Sequence, residues 1–283
     1  MNSEDERNGS RRPESISLQE STPVKVDNLT VYRGSYPALR DVSFQLPSAT
    51  NTAIVGPNGA GKSTLAQAIL GLIPRSGGQI EMFGKPLEKL GRLRSRLGYV
   101  PQNFIFDRSF PISVKELVGL GWRKAQGERR FTRNLSSASL PFRFPWQNDP
   151  EKETAVAWAL QRVDAYHLRN RAIGGLSGGQ LKRVLLAYCL VIPRHLLVLD
   201  EALAGMDIQG EAEFYSLLNE LKREQNWTVL QVSHDLNMVS RHCDRVICLN
   251  QTVVCSGEPE VALAPQNLLA TYGPDFARYH HHH

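Results

Sequence analysis

One short stretch of the chain combines glycines, a lysine and a serine in a spacing that suits phosphate chemistry. Residues 56–63 read GPNGAGKS, which fits the pattern G-x-x-x-x-G-K-[ST]. Glycines let backbone N–H groups close around phosphate oxygens, Lys62 can reach the β- and γ-phosphates, and the Ser63 hydroxyl can ligate Mg²⁺. The alternative is a glycine-rich turn, but this loop stands between a strand pattern and a helical pattern, as the motif requires. We predict that a nucleoside triphosphate binds here, through Gly56, Pro57, Asn58, Gly59, Ala60, Gly61, Lys62, Ser63 and Thr64.

Two acids end the apolar run LLVLDE at residues 196–201. Such a run places the acids at the carboxyl end of a buried strand, where sites in open α/β sheets form. There Asp200 can hold Mg²⁺ through a water, and Glu201 can orient or deprotonate the attacking water. Solvated acids at a strand end are the alternative. The phosphate loop in the same chain favours hydrolysis over simple binding.

Two further polar residues follow apolar strand patterns. His234 comes directly after LQVS, and Gln102 ends LGYVPQ. A lone histidine more often has a structural role, but its place at the same edge of the sheet favours contact with the γ-phosphate. Gln102 is a neutral candidate ligand for Mg²⁺ or for water. Taken alone, this glutamine fits a structural role equally well.

A second glycine-rich stretch, LSGGQ at residues 176–180, starts another helical pattern, where anions bind. The order of phosphate loop, glutamine after a strand, LSGGQ, LVLDE and histidine resembles the ATP-binding subunits of ABC transporters, from about residue 24 onward. In that family two subunits pack head to tail, and each signature loop closes over the γ-phosphate of the ATP in its partner. The resemblance therefore implies ATP with Mg²⁺ and a homodimer. The residues that it assigns to the partner's ATP are Leu176, Ser177, Gly178, Gly179 and Gln180.

The resemblance also assigns roles to single positions. Tyr32 stands about where the family places an aromatic ring that stacks on adenine, and Tyr36 is the weaker alternative. Asp207, in AGMD, fits the loop that crosses the dimer interface. Ala202 stands where the family usually has proline, and we expect catalysis to be unaffected.

The elements that must position these residues follow from hydrophobic periodicity. The segments VKVDNLTVY and ALRDVSFQL alternate like antiparallel strands, and QIEMFG and LGYVPQ are interpreted as a further strand pair. Strands NTAIVG, HLLVLD and TVLQVS alternate with helical patterns, and a last strand pair lies near residues 245–255, so a mostly parallel, doubly wound sheet is predicted. Together with the family resemblance, this predicts an α/β fold with a P-loop NTPase (RecA-like) core, an antiparallel β subdomain and an inserted α-helical subdomain. The predicted ranges are a disordered arm at 1–22, one ATPase domain at 23–279 with its core at 23–104 and 175–279 and its insertion at 105–174, and a histidine tail at 280–283.

Composition narrows the class of protein further. The 283 residues are 41% hydrophobic and 22% charged, as in an ordinary globular chain. No apolar run approaches the length of a membrane span, and the polar N-terminus has no apolar core of a secretory signal. The net charge of +5 is compatible with any anionic partner. The four cysteines form no CxxC pair, so disulfide or metal use is not expected and a reducing, cytoplasmic setting fits best.

The partners and the cargo depend on the resemblance alone. Residues 99–121, with SFPISVKEL, resemble the region of metal-uptake subunits that receives a coupling helix from the membrane permease, and HDLNMV resembles the same branch. This implies a peripheral subunit at the cytoplasmic face of the membrane, an extracytoplasmic binding protein that is engaged indirectly, and manganese or zinc as cargo. An iron–siderophore complex is the alternative cargo, and a soluble ABC ATPase acting on nucleic acid is the alternative class. No nucleic acid is expected, because the chain has neither a long coiled coil nor a second cassette.

Two segments depart from the family pattern. Residues 123–147 carry six basic residues and one acid with interleaved aromatic rings, and a solvated loop is slightly favoured over contact with lipid headgroups or permease loops. The basic residues are Arg123, Lys124, Arg129, Arg130, Arg133 and Arg143. The chain ends in YHHHH, which is either a native tail or an engineered remnant.

Overall fold

The computed structural model describes residues 22–122, 149–203, 206 and 208–274. Four features predicted from the sequence lie outside these residues: almost all of the N-terminal arm, the basic–aromatic insertion at 123–147, Asp207 and the histidine tail.

An antiparallel sheet of four strands forms the first layer. Its spatial order is β2-β1-β4-β5. Buried and exposed side chains alternate along most of the first two strands, because one face of this sheet covers the core. The strands are β1 (Val24–Arg33), β2 (Tyr36–Leu46), β4 (Gly77–Met82) and β5 (Lys85–Pro86).

A second sheet of six strands has the order β10-β9-β3-β8-β7-β6. All its neighbours pair in parallel except β9 and β10, so the predicted mostly parallel sheet is confirmed. The central strands β3, β7 and β8 are buried at every position, which explains their unbroken apolar runs. The strands are β3 (Asn51–Val55), β6 (Leu97–Val100), β7 (Leu196–Asp200), β8 (Thr228–Val232), β9 (Arg245–Asn250) and β10 (Thr252–Gly257).

The predicted pairing of QIEMFG with LGYVPQ is wrong. The first segment is β4 and pairs with β1, whereas the second is β6 and lies parallel to β7. Both segments alternate in the same way, and alternation shows that a segment is a strand without showing which strand lies beside it.

Eight α-helices lie within the described residues. Helices α2 and α3 pack against α4 in one hydrophobic cluster that reaches one face of the parallel sheet through Leu197 and Leu199. Leu196 and Val198 face the opposite cluster, which includes α1 and the antiparallel sheet. The helices are α1 (Lys62–Ile69), α2 (Val114–Gly119), α3 (Pro150–Arg162), α4 (Gly178–Leu190), α5 (Ile208–Gln225), α6 (Leu236–His242), α7 (Pro259–Ala262) and α8 (Pro265–Tyr272). Among these helices, none has the length and apolar character that a membrane crossing needs.

The expectation that the cysteines form no disulfide is wrong. Cys248 and Cys255 face each other across β9 and β10 and form a disulfide, with their Cα atoms 4.9 Å apart. Cys189 and Cys243 are buried free thiols. The sequence did not predict the bond, because it depends on the register of two antiparallel strands rather than on a CxxC spacing.

Candidate nucleotide site

The glycine-rich loop joins the buried strand β3 to the start of α1. Gly59 and Gly61 have φ values of 80° and 95°, which strongly favour glycine. At Gly61 a Cβ atom would lie 2.5 Å from the carbonyl oxygen of Ala38, and at Gly56 it would lie 2.0 Å from that of Leu249. The glycines are therefore needed both for the turn and for the close approach of neighbouring backbone.

Lys62 folds back over this loop. Its Nζ donates hydrogen bonds to the carbonyl oxygens of Gly56 at 2.8 Å and of Pro57 at 2.9 Å. Burial lowers the pKa of Lys62, and the nearby carboxylates of Glu201 and Asp200 oppose that shift. The side chain thus places one positive charge at the loop, close to two acids.

Ser63 and Asp200 meet although 137 positions separate them. The Ser63 hydroxyl donates a 2.8 Å hydrogen bond to Asp200 Oδ1. Asp200 is almost wholly buried at the end of β7, and burial raises its pKa, with the Ser63 hydrogen bond acting in the opposite direction. A hydroxyl and a carboxylate at this point are oxygen donors of the kind that Mg²⁺ prefers.

A tyrosine that the sequence analysis did not single out also contacts Asp200. The Tyr99 hydroxyl lies 3.4 Å from Asp200 Oδ2, and burial together with the Asp200 charge raises the pKa of Tyr99 to about 12. Tyr99 belongs to the quoted segment LGYVPQ, but only the pairing of β6 with β7 brings it to the acid.

Glu201 has the left-handed backbone conformation, with φ of 47°. This region is sparsely populated by residues other than glycine, and such strain persists only where surrounding contacts hold it. The Glu201 N–H donates to the carbonyl of Val232 at 3.2 Å, which joins the ends of β7 and β8. Gln102 Nε2 donates to Glu201 Oε2 at 2.5 Å, so the glutamine contacts the candidate base rather than Asp200.

Lys182 is a second residue that the sequence analysis missed. Its Nζ lies 3.5 Å from the Glu201 carbonyl oxygen, and burial lowers its pKa against the effect of Glu201 and Glu211. Lys182 follows LSGGQ in α4, but no sequence spacing shows that this helix passes beneath the end of β7.

His234 follows β8 and lines a cavity of about 390 Å³ together with Glu201. Glu211 of α5 and Asp235 line the same cavity, and burial raises the pKa of Glu211. The predicted edge of the sheet therefore holds Lys62, Ser63, Gln102, Asp200, Glu201 and His234.

The LSGGQ segment forms the N-terminus of α4. Ser177 and Gln180 make a reciprocal capping box, in which the Ser177 hydroxyl accepts from the Gln180 N–H. The capping box leaves the first-turn N–H groups of Gly178 and Gly179 for another acceptor.

Both tyrosines that are candidates for stacking on adenine are exposed. Tyr32, on β1, exposes 51% of its surface, and Tyr36 exposes 79%.

The donor set fits magnesium bound together with a phosphate substrate. Within the described ranges, no group of three or more histidine, cysteine, aspartate and glutamate residues could enclose a metal. Mg²⁺ usually takes one or two protein oxygens, with waters and substrate phosphates as its other ligands. Ser63 and Asp200 match that arrangement.

The sheet order, the phosphate loop and the acids at the end of β7 define a P-loop nucleotide hydrolase. A family model described as "ABC transporter" matches residues 39–204, more than half of the chain. The chain belongs to the ABC transporter family, as an ATPase cassette that binds ATP with Mg²⁺.

Solved structures agree with this assignment. The chain is 30% identical to cbiO1 from Clostridium perfringens, part of the ABC transporter complex cbiONQ, with 93% of this chain and 98% of that one covered and a TM-score of 0.68. It is 27% identical to an inward-facing ABC transporter provisionally described as metal-chelate type, with 88% of each chain covered and a TM-score of 0.69. MJ0796, a bacterial ABC transporter cassette solved as a dimer, is 24% identical over 83% of this chain and 98% of its own, with a TM-score of 0.69.

Proposed function

We propose that this chain is the ATP-hydrolysing subunit of an ABC importer and that its cargo is a divalent metal ion, manganese or zinc. One observation carries the transport part of this proposal. Gln102, which starts the exposed part of the 99–121 region, is hydrogen-bonded to Glu201, the candidate catalytic base. A partner that docks on this region can therefore change the geometry of the base.

Three large apolar side chains of residues 99–121 are exposed among polar ones. Ile105 exposes 93% of its surface, Phe110 59% and Leu120 54%. Large exposed apolar side chains within one segment are compatible with a surface that binds another protein or a membrane. We assign this surface to a coupling helix of the membrane permease, so the chain is placed at the cytoplasmic face of the membrane as a peripheral subunit.

The second glycine loop supports a head-to-tail homodimer. The α4 N-terminus presents two glycine N–H groups and a positive dipole end, which suit a γ-phosphate. In this proposal LSGGQ of one copy closes over the ATP in the phosphate loop of the other. MJ0796, a bacterial ABC transporter cassette of similar fold, was solved as a dimer.

The reaction is transfer of the γ-phosphoryl group to water. Ser63 and Asp200 would hold Mg²⁺, which would supply positive charge to neutralise the phosphates. Glu201 takes a proton from the attacking water while the water oxygen bonds to the γ-phosphorus. The bond between the γ-phosphorus and the β–γ bridging oxygen breaks, and ADP leaves with the electron pair of that bond. Lys62 and His234 are assigned to the γ-phosphate, and Tyr32 to the adenine.

The cargo assignment has one close alternative. The relative of metal-chelate type favours a metal held by a chelator, such as an iron–siderophore complex. A binding protein would deliver either cargo to the permease and would contact this chain only indirectly.

A reconstituted complex tests the proposal. The chain is purified with its co-encoded permease, placed in liposomes with the binding protein, and assayed for ATP hydrolysis with Mn²⁺, Zn²⁺ or an iron–siderophore complex. Stimulation by Mn²⁺ or Zn²⁺ supports the proposal, and stimulation by the chelate alone supports the alternative cargo. Stimulation by DNA or RNA without permease would instead support a soluble ATPase that acts on nucleic acid.

A further inference from the structure

The turn between β9 and β10 lies directly against the phosphate loop. The Gln251 N–H donates to the carbonyl of Ala60 at 2.9 Å, and the Gln251 carbonyl accepts from the Arg40 N–H at 2.8 Å. At Gly56, a Cβ atom would lie 2.0 Å from the Leu249 carbonyl oxygen. Residues 249–251 therefore support the loop from the side of the C-terminal strands.

Helix α8 also contacts the turn between β9 and β10. The Asn250 side-chain amide donates to the carbonyl of Thr271 at 3.1 Å. Thr271 is fully buried, and its hydroxyl donates to the Asn267 carbonyl at 2.6 Å. The last turn of α8 is thus fixed in position, and Asn250 connects it to the residue that bonds Ala60.

The final residue of α8 reaches the loop itself. Burial raises the pKa of Tyr272, and a hydrogen bond with the Gly56 backbone opposes that shift. The Tyr272 hydroxyl and the Gly56 backbone are thus hydrogen-bond partners. The carbonyl of the same glycine accepts from Lys62, so Gly56 is held between the C-terminal helix and the loop lysine.

We propose that helix α8 is part of the nucleotide site, with Tyr272 and Asn250 as positioning residues that set the shape of the phosphate loop. The inference concerns ATP affinity rather than cargo, and it rests on the assignment of residues 56–64 to the phosphates. When the loop already has its binding shape, ATP does not have to order it. The free-energy cost of ordering is then absent, and Kd for ATP is lower. Neither residue is assigned a contact with the reacting atoms, so turnover at saturating ATP is expected to change little.

Two substitutions separate positioning from general stability. Tyr272→Phe removes one hydroxyl and keeps the ring, and Asn250→Ala removes the amide that bonds Thr271. Their controls are Tyr166→Phe, at a partly exposed ring beside Arg169, and Thr154→Ala, whose hydroxyl bonds the Pro150 carbonyl in α3. Lys62→Ala serves as the reference for the phosphate loop.

The measurements are the Kd of the full chain for the magnesium complex of a non-hydrolysable ATP analogue, the KM and kcat for ATP, and the unfolding temperature without nucleotide. We expect Tyr272→Phe and Asn250→Ala to raise Kd and KM by about three- to tenfold, the usual range for one lost hydrogen bond, with kcat within about twofold of wild type. The controls should leave Kd unchanged.

Three results would overturn the inference. Tyr272→Phe could bind the analogue as wild type does while Lys62→Ala binds it weakly, which rejects the role of α8 and keeps the phosphate loop. The controls could weaken binding as much as the test variants, which would show a general loss of stability. Unchanged binding in Lys62→Ala would reject the phosphate-loop assignment, and the inference with it. If Asn250→Ala fails to fold, the isosteric Tyr272→Phe still decides the question.

Discussion

Gln102 Nε2 donates a hydrogen bond to Glu201 Oε2 across 2.5 Å. The two residues belong to different parts of the fold, since Gln102 follows the edge strand β6 and Glu201 follows β7. The bond therefore links the start of the proposed permease surface to the proposed catalytic carboxylate. Movement of either residue must break or rearrange this hydrogen bond, so a change at the permease surface can reach the catalytic carboxylate.

Replacing Gln102 with alanine should weaken this link. Glu201 loses a donor that fixes its carboxylate, so we expect kcat of the complex to fall about tenfold, in line with the loss of catalytic alignment. The ratio between permease-stimulated and basal ATP hydrolysis should also fall towards one. A variant that keeps full stimulation would show that the permease signal does not pass through Gln102.

Lys182 should support the backbone of Glu201. Its ammonium group lies 3.5 Å from the carbonyl of a residue with φ of 47°. We expect Lys182→Met to lower kcat by about tenfold with little change in KM, because the carboxylate is misplaced while the phosphate loop is intact. Steady-state kinetics measures both quantities.

Lys222→Met is the matched control for that substitution. Lys222 pairs with Asp244 at 2.7 Å on the partly exposed far end of α5. Its loss should cost about 0.2–1 kcal/mol of stability and leave kcat unchanged. Equal losses of kcat in both variants would reject a specific role for Lys182.

Tyr99 should make stability depend on alkaline pH. Its pKa is raised from 10.0 to about 12 in the folded chain, chiefly by burial. The folded state then holds the proton more tightly than the unfolded state, so this contribution is fully present below pH 10.0 and is lost as pH rises towards about 12. Tyr99→Phe cannot ionise, and the free energy of unfolding of wild type relative to this variant should therefore decrease between pH 10.0 and about 12. Denaturant unfolding at several pH values measures the difference, and a pH-independent difference would contradict the assignment.

An acid in the signature loop, LSGGQ at residues 176–180, should leave the monomer folded but prevent the loop from binding the ATP of a second copy. At Gly178, an added Cβ would have no heavy atom within 4 Å. In Gly178→Asp a carboxylate at the helix N-terminus should stabilise α4 by about 0.3–1 kcal/mol, yet it should repel a γ-phosphate brought there by a second copy. We expect an unchanged or higher unfolding temperature with ATP hydrolysis reduced at least tenfold. Normal hydrolysis would remove the signature loop from the site.

Much of this site could be predicted because its parts follow strands. Lys62, Asp200 and His234 come after β3, at the end of β7 and after β8, and parallel strands bring their carboxyl ends to one edge. The parts that could not be predicted depend on lateral pairing. Tyr99 reaches Asp200 only because β6 lies beside β7, and Cys248 meets Cys255 only through the β9–β10 register.

Contacts made by helices were equally hidden in the sequence. The approach of Lys182 to Glu201 and of Tyr272 to Gly56 depends on how α4 and α8 pack, which hydrophobic periodicity does not specify. Glu201 itself was singled out as the base, but its left-handed backbone was not expected for a glutamate.

The most direct test of the account is the molecular mass of Glu201→Gln in solution with MgATP and with MgADP, measured by light scattering after gel filtration. Glutamine keeps the shape of the side chain and cannot accept the proton, so we expect hydrolysis to fall by about 10²–10⁴-fold and an ATP-dependent dimer to accumulate. Gly178→Asp added to the same variant should return it to a monomer. A Glu201→Gln chain that still hydrolyses ATP at the wild-type rate, or stays monomeric with saturating MgATP, would contradict the assignment of Glu201 as the base of a site closed by two copies.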